Sequence, residues 1–127
     1  MQVEALKQAA IEALEEIKAR DITVLDVRKL TSLFDYMIVA SADSARQTKA
    51  LANNVQEKAK QLGGRVHGVE GEQTGEWVLV DLGEVIVHVM QPAVRAYYNL
   101  EQLWGGKPPS PHPTNWRNAP SEPPPAL

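Results

Sequence analysis

The chain has 127 residues, of which 43% are hydrophobic, and this is enough apolar material for the core of one ordinary domain. Sixteen acidic residues against thirteen basic ones give a formal net charge of −3, which argues against holding a nucleic-acid backbone by charge. Cysteine is absent, which excludes disulfide frameworks, thiolate zinc sites and cysteine nucleophiles.

The N-terminal half predicts a helix, two strands and a second helix. Apolar residues spaced by three and four predict a helix over residues 3–19, whose charges fit neither a signal peptide nor a membrane span. The alternating segment "DITVLDVRKL" predicts a strand, and the continuously apolar residues 35–42 predict a central strand covered on both faces. Ser44 and Gln47 have the spacing of a capping box, which opens a helix that ends at Gly63-Gly64.

The C-terminal half predicts three more strands and a short helix. "RVHGVEG" is typical of a short strand interrupted by Gly68, and residues 75–90, "GEWVLVDLGEVIVHVM", predict a hairpin turned at residues 82–84. Pro92 opens a short helix that reaches about Tyr98, and "LEQLW" closes the fold. The order α-β-β-α-β-β-β-α predicts an α/β (α+β) fold with a single mixed β-sheet and packed helices.

The composition changes after Gly105, because eight of the nine prolines lie beyond it. A segment of this kind buries too little apolar surface to offset the entropy lost on ordering. We therefore predict one domain over residues 1–106 and a proline-rich, disordered tail over residues 107–127.

The two faces of the hairpin differ in character. Alternation places only aliphatic side chains on one face, namely Val78, Val80, Leu82, Val85, Val87 and Val89. The opposite face mixes an indole, aliphatics, a carboxylate and an imidazole, namely Trp77, Leu79, Asp81, Ile86, His88 and Met90. Composition leaves open whether this mixed face is core with polar intrusions or a contact surface, and Trp and Met are common in binding hot spots.

Strand-borne acids raise the alternative of a metal-dependent nucleotidyltransferase. The candidates are Asp26, Asp35, Asp81 and Glu84. Asp26 and Asp35 each lack a second acid two positions along, and no phosphate-binding glycine loop precedes them. The sequence therefore predicts no metal site and no cofactor.

Two further constellations of reactive side chains are also not favoured. His67 and His88 lack a partner at metal-ligand spacing, so hydrogen-bonded strand histidines are the better interpretation. A triad of Asp81, His88 and either Ser41 or Ser44 has no Gly-x-Ser-x-Gly element to present its nucleophile. No catalytic residue is predicted.

Three segments carry a family resemblance: "DYMIVASADSARQ", "GVEGEQTGEWVLVDLGEVIVHVM" and "RAYYNLEQLW". In order and spacing they resemble the Iojap family of ribosomal silencing factors, RsfS, and the likeness runs from about residue 1 to Trp104. The resemblance implies a nucleotidyltransferase-like fold that lacks the catalytic elements, and therefore a protein that is not an enzyme.

The resemblance also implies a partner and a mode of action. A family member binds the large ribosomal subunit through ribosomal protein uL14 in the cytoplasm, blocks joining of the small subunit, and so represses translation under nutrient limitation or in stationary phase. Little direct nucleic-acid contact and no membrane contact are expected, and a homodimer of the free protein is left open. The expected partner-binding residues are Trp77, Leu79, Asp81, His88, Met90, Arg95 and Tyr98. Among them we expect Trp77 to be an interface anchor rather than a core residue. The alternative function is a metal-dependent nucleotidyltransferase or related phosphotransfer enzyme.

Overall fold

Three helices and five strands make up the part of the chain that the computed structural model describes, residues 2–98, with side chains over residues 2–96. Their bounds are α1 Val3–Glu16, β1 Arg20–Asp26, β2 Tyr36–Ser41, α2 Ala45–Gln61, β3 Gly68–Glu70, β4 Trp77–Asp81, β5 Val85–Met90 and α3 Pro92–Tyr98. The predicted element order is confirmed. The predicted close at "LEQLW" and the predicted tail lie outside the described residues.

The five strands form one mixed sheet in the order β1-β2-β5-β4-β3. The central pair, β2 and β5, is parallel, and the other three pairs are antiparallel. Every residue of β2 and β5 is buried, which explains why both strands read as nearly continuous apolar runs. The predicted mixed sheet, with residues 35–42 in a central strand, is therefore confirmed.

Helices α1 and α2 cover one face of the sheet. Their apolar stripes, which include Leu14, Leu51 and Val55, pack on strand residues such as Ile38 and Val87 in the first core cluster. The aliphatic face of the hairpin belongs to this cluster, as its composition predicts. The Ser44 hydroxyl caps α2, because it accepts a hydrogen bond from the Gln47 backbone N–H at 3.0 Å. Gln47 Oε1 in turn accepts from the Asp43 N–H at 2.7 Å, one residue before the position that a capping box uses.

The opposite face of the sheet is covered by shorter elements. The second core cluster joins strand residues to the 27–35 loop, through Val27 and Phe34, and to α3, through Val94. Val27 and Phe34 are at most 1% exposed, and the loop is closed by the Val27 N–H, which donates to the Asp35 carbonyl at 3.0 Å. This cover has no amphipathic periodicity, so the hydrophobic pattern alone does not predict it.

Three boundaries differ from those predicted. Helix α1 ends at Glu16 rather than near residue 19, because Lys18 takes a left-handed conformation with φ of 61°. Strand β1 ends at Asp26, because the chain turns where the N–H groups of Leu30 and Thr31 donate to the Val27 carbonyl. Strand β3 begins at Gly68 instead of being interrupted there. Over residues 2–98, no helix combines the length and apolar character needed to cross a membrane.

Candidate functional site: the mixed face of the hairpin

The register of the hairpin brings the mixed residues together. Trp77 lies opposite Met90, Leu79 opposite His88, and Asp81 opposite Ile86. Paired and diagonal neighbours on one face of an antiparallel pair lie within reach of each other's side chains. The grouping expected from alternation therefore exists in three dimensions.

Most of this mixed face is core. Trp77 and Leu79 are each 8% exposed, and His88 and Met90 are fully buried. All but His88 are assigned to the second cluster, beneath the 27–35 loop and Val94. The expectation that Trp77 is an interface anchor rather than a core residue is therefore corrected, because the loop and α3 cover the side of the sheet that the sequence leaves open. His88 and Met90 offer no surface to a partner in this conformation.

A hydrogen bond inside the sheet joins the two polar aromatic side chains of the mixed face. Trp77 Nε1 donates to His88 Nδ1 at 2.8 Å, and the ring centroids lie 5.7 Å apart. An imidazole that accepts at Nδ1 is neutral and carries its proton on Nε2. Burial lowers the pKa of His88 to about 3, because the charged imidazolium is not solvated there. His88 is therefore a neutral acceptor that orients the Trp77 indole.

Asp81 has a structural role at the turn. It is the last residue of β4, and its Oδ1 accepts a hydrogen bond from the Gly83 N–H at 2.8 Å. Gly83 has φ of +90°, a backbone conformation that glycine adopts without the usual steric cost. The side chain remains partly exposed, so it fixes the turn and also reaches the surface.

Arg95 and Tyr98 lie on α3, beside the mixed face. The Arg95 guanidinium donates to the Asp21 carbonyl at 2.6 Å, to Ser41 Oγ at 2.8 Å and to Thr23 Oγ1 at 3.0 Å. These bonds join α3 to β1 and β2. Tyr98 is the last residue of α3, and its side chain lies outside the described part of the chain.

The four acids considered for a metal site all lie toward one end of the sheet, but they are distributed over four strands. Asp26 ends β1, Asp35 precedes β2, Glu84 precedes β5 and Asp81 ends β4. Because neighbouring strands are roughly 4.8 Å apart, Asp26 and Asp81 are separated by roughly 14 Å in the sheet direction. Within residues 2–98, no group of three or more His, Cys, Asp or Glu side chains could hold a metal ion.

Two of these acids, Asp26 and Asp81, are also engaged in local structure. Asp26 accepts from Arg28 Nε at 2.9 Å and from Arg28 Nη2 at 2.6 Å. The side-chain hydrogen bonds from Arg28 lower the pKa of Asp26 to about 2. A carboxylate held in this way stabilises the end of β1 and is not presented as a metal ligand.

The residues of the hypothetical triad each bond to other groups. Ser41 Oγ accepts from Arg95, and Ser44 Oγ caps α2. His88 accepts from Trp77 inside the sheet, and Asp81 accepts from the turn. The arrangement orients side chains and closes a core, and it does not present a nucleophile to a base.

Sequence reasoning missed part of the cover of the mixed face and the acceptors of Arg95. Phe34 supplies part of its cover, and Ser41 and Thr23 receive Arg95. The contacts of Arg95 span 54 to 74 residues of chain, so no local pattern could indicate them.

Comparison with known proteins identifies the family. The family model described as "Ribosomal silencing factor during starvation" matches residues 1–125. The chain is 60% identical over 110 residues to "Ribosomal silencing factor RsfS" of Chromobacterium violaceum, covering 87% of this chain and 90% of the relative. A crystal structure of a protein from the same species, also 60% identical, superposes with a TM-score of 0.82 over 87% of this chain and 92% of that one.

Organellar proteins are among the more distant relatives. "Protein Iojap, chloroplastic" of Zea mays is 35% identical over 97 residues, which cover 76% of this chain and 42% of the relative. "Mitochondrial assembly of ribosomal large subunit protein 1" of Mus musculus is 32% identical over 97 residues, 74% of this chain and 42% of the relative. The family match over residues 1–125 and the shared fold together show that this chain belongs to the family of ribosomal silencing factors, RsfS.

Proposed function

We propose that this protein silences translation without catalysis, by binding the large ribosomal subunit through ribosomal protein uL14 and standing in the path of the small subunit. The observation that carries the proposal is the family match over residues 1–125, together with 60% identity to a ribosomal silencing factor over nearly its whole length. The name of the mouse relative also refers to the large ribosomal subunit. The proposed location is the cytoplasm, where bacterial subunits join.

The chemistry of the described residues supports a binding role. Asp26 is engaged in an ion pair and Asp81 in a turn, and the buried His88 is held neutral by its surroundings. A formal charge of −3 favours approach to a basic protein over approach to RNA, since complementary charge guides association. We therefore propose that the protein recognises a ribosomal protein and makes little direct contact with RNA.

We propose that the partner surface is formed by α3 and by the partly exposed edge of the mixed face. Asp81 and Arg95 are partly exposed, and Trp77 and Leu79 each retain 8% of their surface. His88 and Met90 are buried and support these residues from below. Tyr98, at the end of α3, completes the proposed set. In this arrangement a rigid core presents a few side chains in fixed orientations, which reduces the entropy lost on binding.

Two linked assays test the proposal. Purified protein is first co-sedimented with large subunits and, separately, with isolated uL14. The bound large subunits are then mixed with small subunits, and the fraction of joined ribosomes is measured on a gradient. We expect the protein to bind both targets and to reduce subunit joining. If large subunits with bound protein join small subunits as well as free large subunits do, the steric mechanism is refuted.

Tyr98→Ala tests the proposed surface against a matched control. Leu62 is also apolar and is 47% exposed just after α2, so Leu62→Ala removes apolar surface outside the proposed set. We expect Tyr98→Ala to weaken subunit binding at least tenfold, about 1.4 kcal/mol, and Leu62→Ala to leave it unchanged. Equal effects of the two substitutions would place the surface elsewhere. Incorporation of nucleotides by the pure protein, abolished by Asp81→Asn, would favour the phosphotransfer alternative instead.

A further inference from the structure

Helix α3 is too short to hold its place without tertiary contacts. It has seven residues, and isolated helices shorter than roughly 12 residues are marginal in water. Its anchors are the backbone N–H of Gln91, just before the helix, and the side chains of Val94 and Arg95 within it. The Gln91 N–H donates to the Glu76 carbonyl at 3.0 Å, and Val94 is 7% exposed in the second core cluster.

Arg95 is the anchor that reaches β1, the strand at one edge of the sheet. Nη1 donates to the Asp21 carbonyl and to Ser41 Oγ, and Nη2 donates to Thr23 Oγ1, all within 3.0 Å. One side chain therefore connects α3 with both β1 and β2. A planar guanidinium can direct several hydrogen bonds at fixed angles, which the single ammonium group of a lysine cannot reproduce.

Strand β1 is irregular at the point where it receives Arg95. The pairing with β2 shifts between Arg20 and Thr23, and Asp21 lies in that irregular stretch with φ of 51°. A non-glycine residue in this conformation is uncommon, and bulges change the direction of groups on a strand. Here the carbonyl of the irregular residue accepts a hydrogen bond from Arg95.

We infer that Arg95 is a positioning residue, which clamps α3 across the carboxyl ends of β2 and β5 and thereby pre-organises the partner surface. Ser41 and Met90, the last residues of these two strands, lie side by side, and α3 begins two residues after Met90. Without the clamp, α3 would keep its hold at Gln91 and Val94 but would lose its connection to β1. The inference rests on the proposed function for its consequence, while the clamp itself can be tested in the free protein.

Hydrogen exchange of the free protein tests the clamp. Arg95→Met keeps the aliphatic stem and removes the guanidinium, and Arg46→Met, on the exposed surface of α2, removes the same charge as a control. We expect the α3 amides, including Arg95 N–H, to exchange at least tenfold faster in Arg95→Met and at the wild-type rate in Arg46→Met. Amides of α2 and β5 should be unchanged in both. Unchanged α3 exchange in Arg95→Met would overturn the clamp.

A double-mutant cycle of binding tests the consequence. Ser41 is 2% exposed and cannot contact a partner, so Ser41→Ala acts on binding only through Arg95 or the fold. We expect Ser41→Ala to weaken large-subunit binding severalfold, and Arg95→Met combined with Ser41→Ala to be no weaker than Arg95→Met alone. Additive losses, or a loss in Arg95→Met with none in Ser41→Ala, would show that Arg95 affects binding independently of its bond to Ser41 and would overturn the inference.

The two experiments separate this inference from the proposed function. If the wild-type protein does not bind large subunits, the proposed function fails, and α3 exchange still decides whether the clamp exists. If Arg95→Met does not fold, Ser41→Ala and Thr23→Val each remove one acceptor and provide milder tests. Faster α3 exchange in these variants supports the clamp, and wild-type exchange in both overturns it.

Discussion

Acidification should destabilise this protein partly through one buried residue, His88. Burial lowers its pKa from 6.5 to about 3, so the folded state binds the proton far more weakly than the unfolded state does. The stability that comes from keeping His88 neutral is therefore fully present above pH 6.5 and is lost as the pH falls from 6.5 toward 3. Protonation would also place a proton on Nδ1, which accepts the Trp77 hydrogen bond.

The magnitude follows from the linkage between protonation and folding. Each pH unit inside this window costs about 1.4 kcal/mol of unfolding free energy, and the change between pH 7.5 and 4.5 is about 2.7 kcal/mol. The unfolding free energy of a native protein is roughly 5–15 kcal/mol, so this loss is a large part of its stability.

Urea denaturation from pH 7.5 to 4.5 measures the effect, with His88→Asn as the control. Asparagine does not titrate, and its Oδ1 can replace Nδ1 as the acceptor for Trp77 Nε1. Other titrating groups contribute equally to both proteins, so the difference in slope reports His88. The reasoning is refuted if wild type and His88→Asn lose stability in parallel. Should the variant not fold, the imidazole NMR shifts of wild type must show a neutral His88 at pH 4.5.

Three further predictions concern the core, the turn and the tail. Trp77→Ala should lower the unfolding free energy by about 3–5 kcal/mol in urea, since the side chain is core, and an unchanged midpoint would make it a surface residue after all. Gly83→Ala should lower the unfolding free energy by about 1–2 kcal/mol, because φ is +90° and the new Cβ would lie 2.8 Å from His67 Nε2. Gly68→Ala is the control: its Cβ would meet nothing within 4 Å, and it should change stability by less than about 0.5 kcal/mol. Equal losses for the two variants in calorimetry would contradict this. Truncation after residue 106 should leave large-subunit affinity within a few-fold in sedimentation, and a loss of orders of magnitude would assign the tail a role in binding.

The element order could be predicted from the sequence because it depends on local periodicity. The apolar spacing in residues 3–16 predicts an amphipathic helix that packs on a sheet. The continuous apolar run of β2 predicts a strand covered on both faces. The Ser44 cap is likewise a short-range bond between neighbouring residues. The family resemblance also depends on residues close together in sequence, and the family match confirms it.

The role of the mixed face was decided by tertiary structure. Tryptophan, histidine and methionine on alternate positions suit a contact surface as well as a core, and only the cover distinguishes the two. That cover comes from Phe34 and Val94, on segments without a periodic pattern.

The contacts of Arg95 likewise could not be predicted from local sequence. An arginine on a short helix is typical of an exposed contact, and its bonds to Asp21, Thr23 and Ser41 arise only when the sheet brings β1 and β2 beside α3. Local sequence determines which elements form, because their hydrogen bonds and periodicity are short-range. Whether a side chain faces a partner or its own core depends on which distant segments close over it, and only the folded chain determines that.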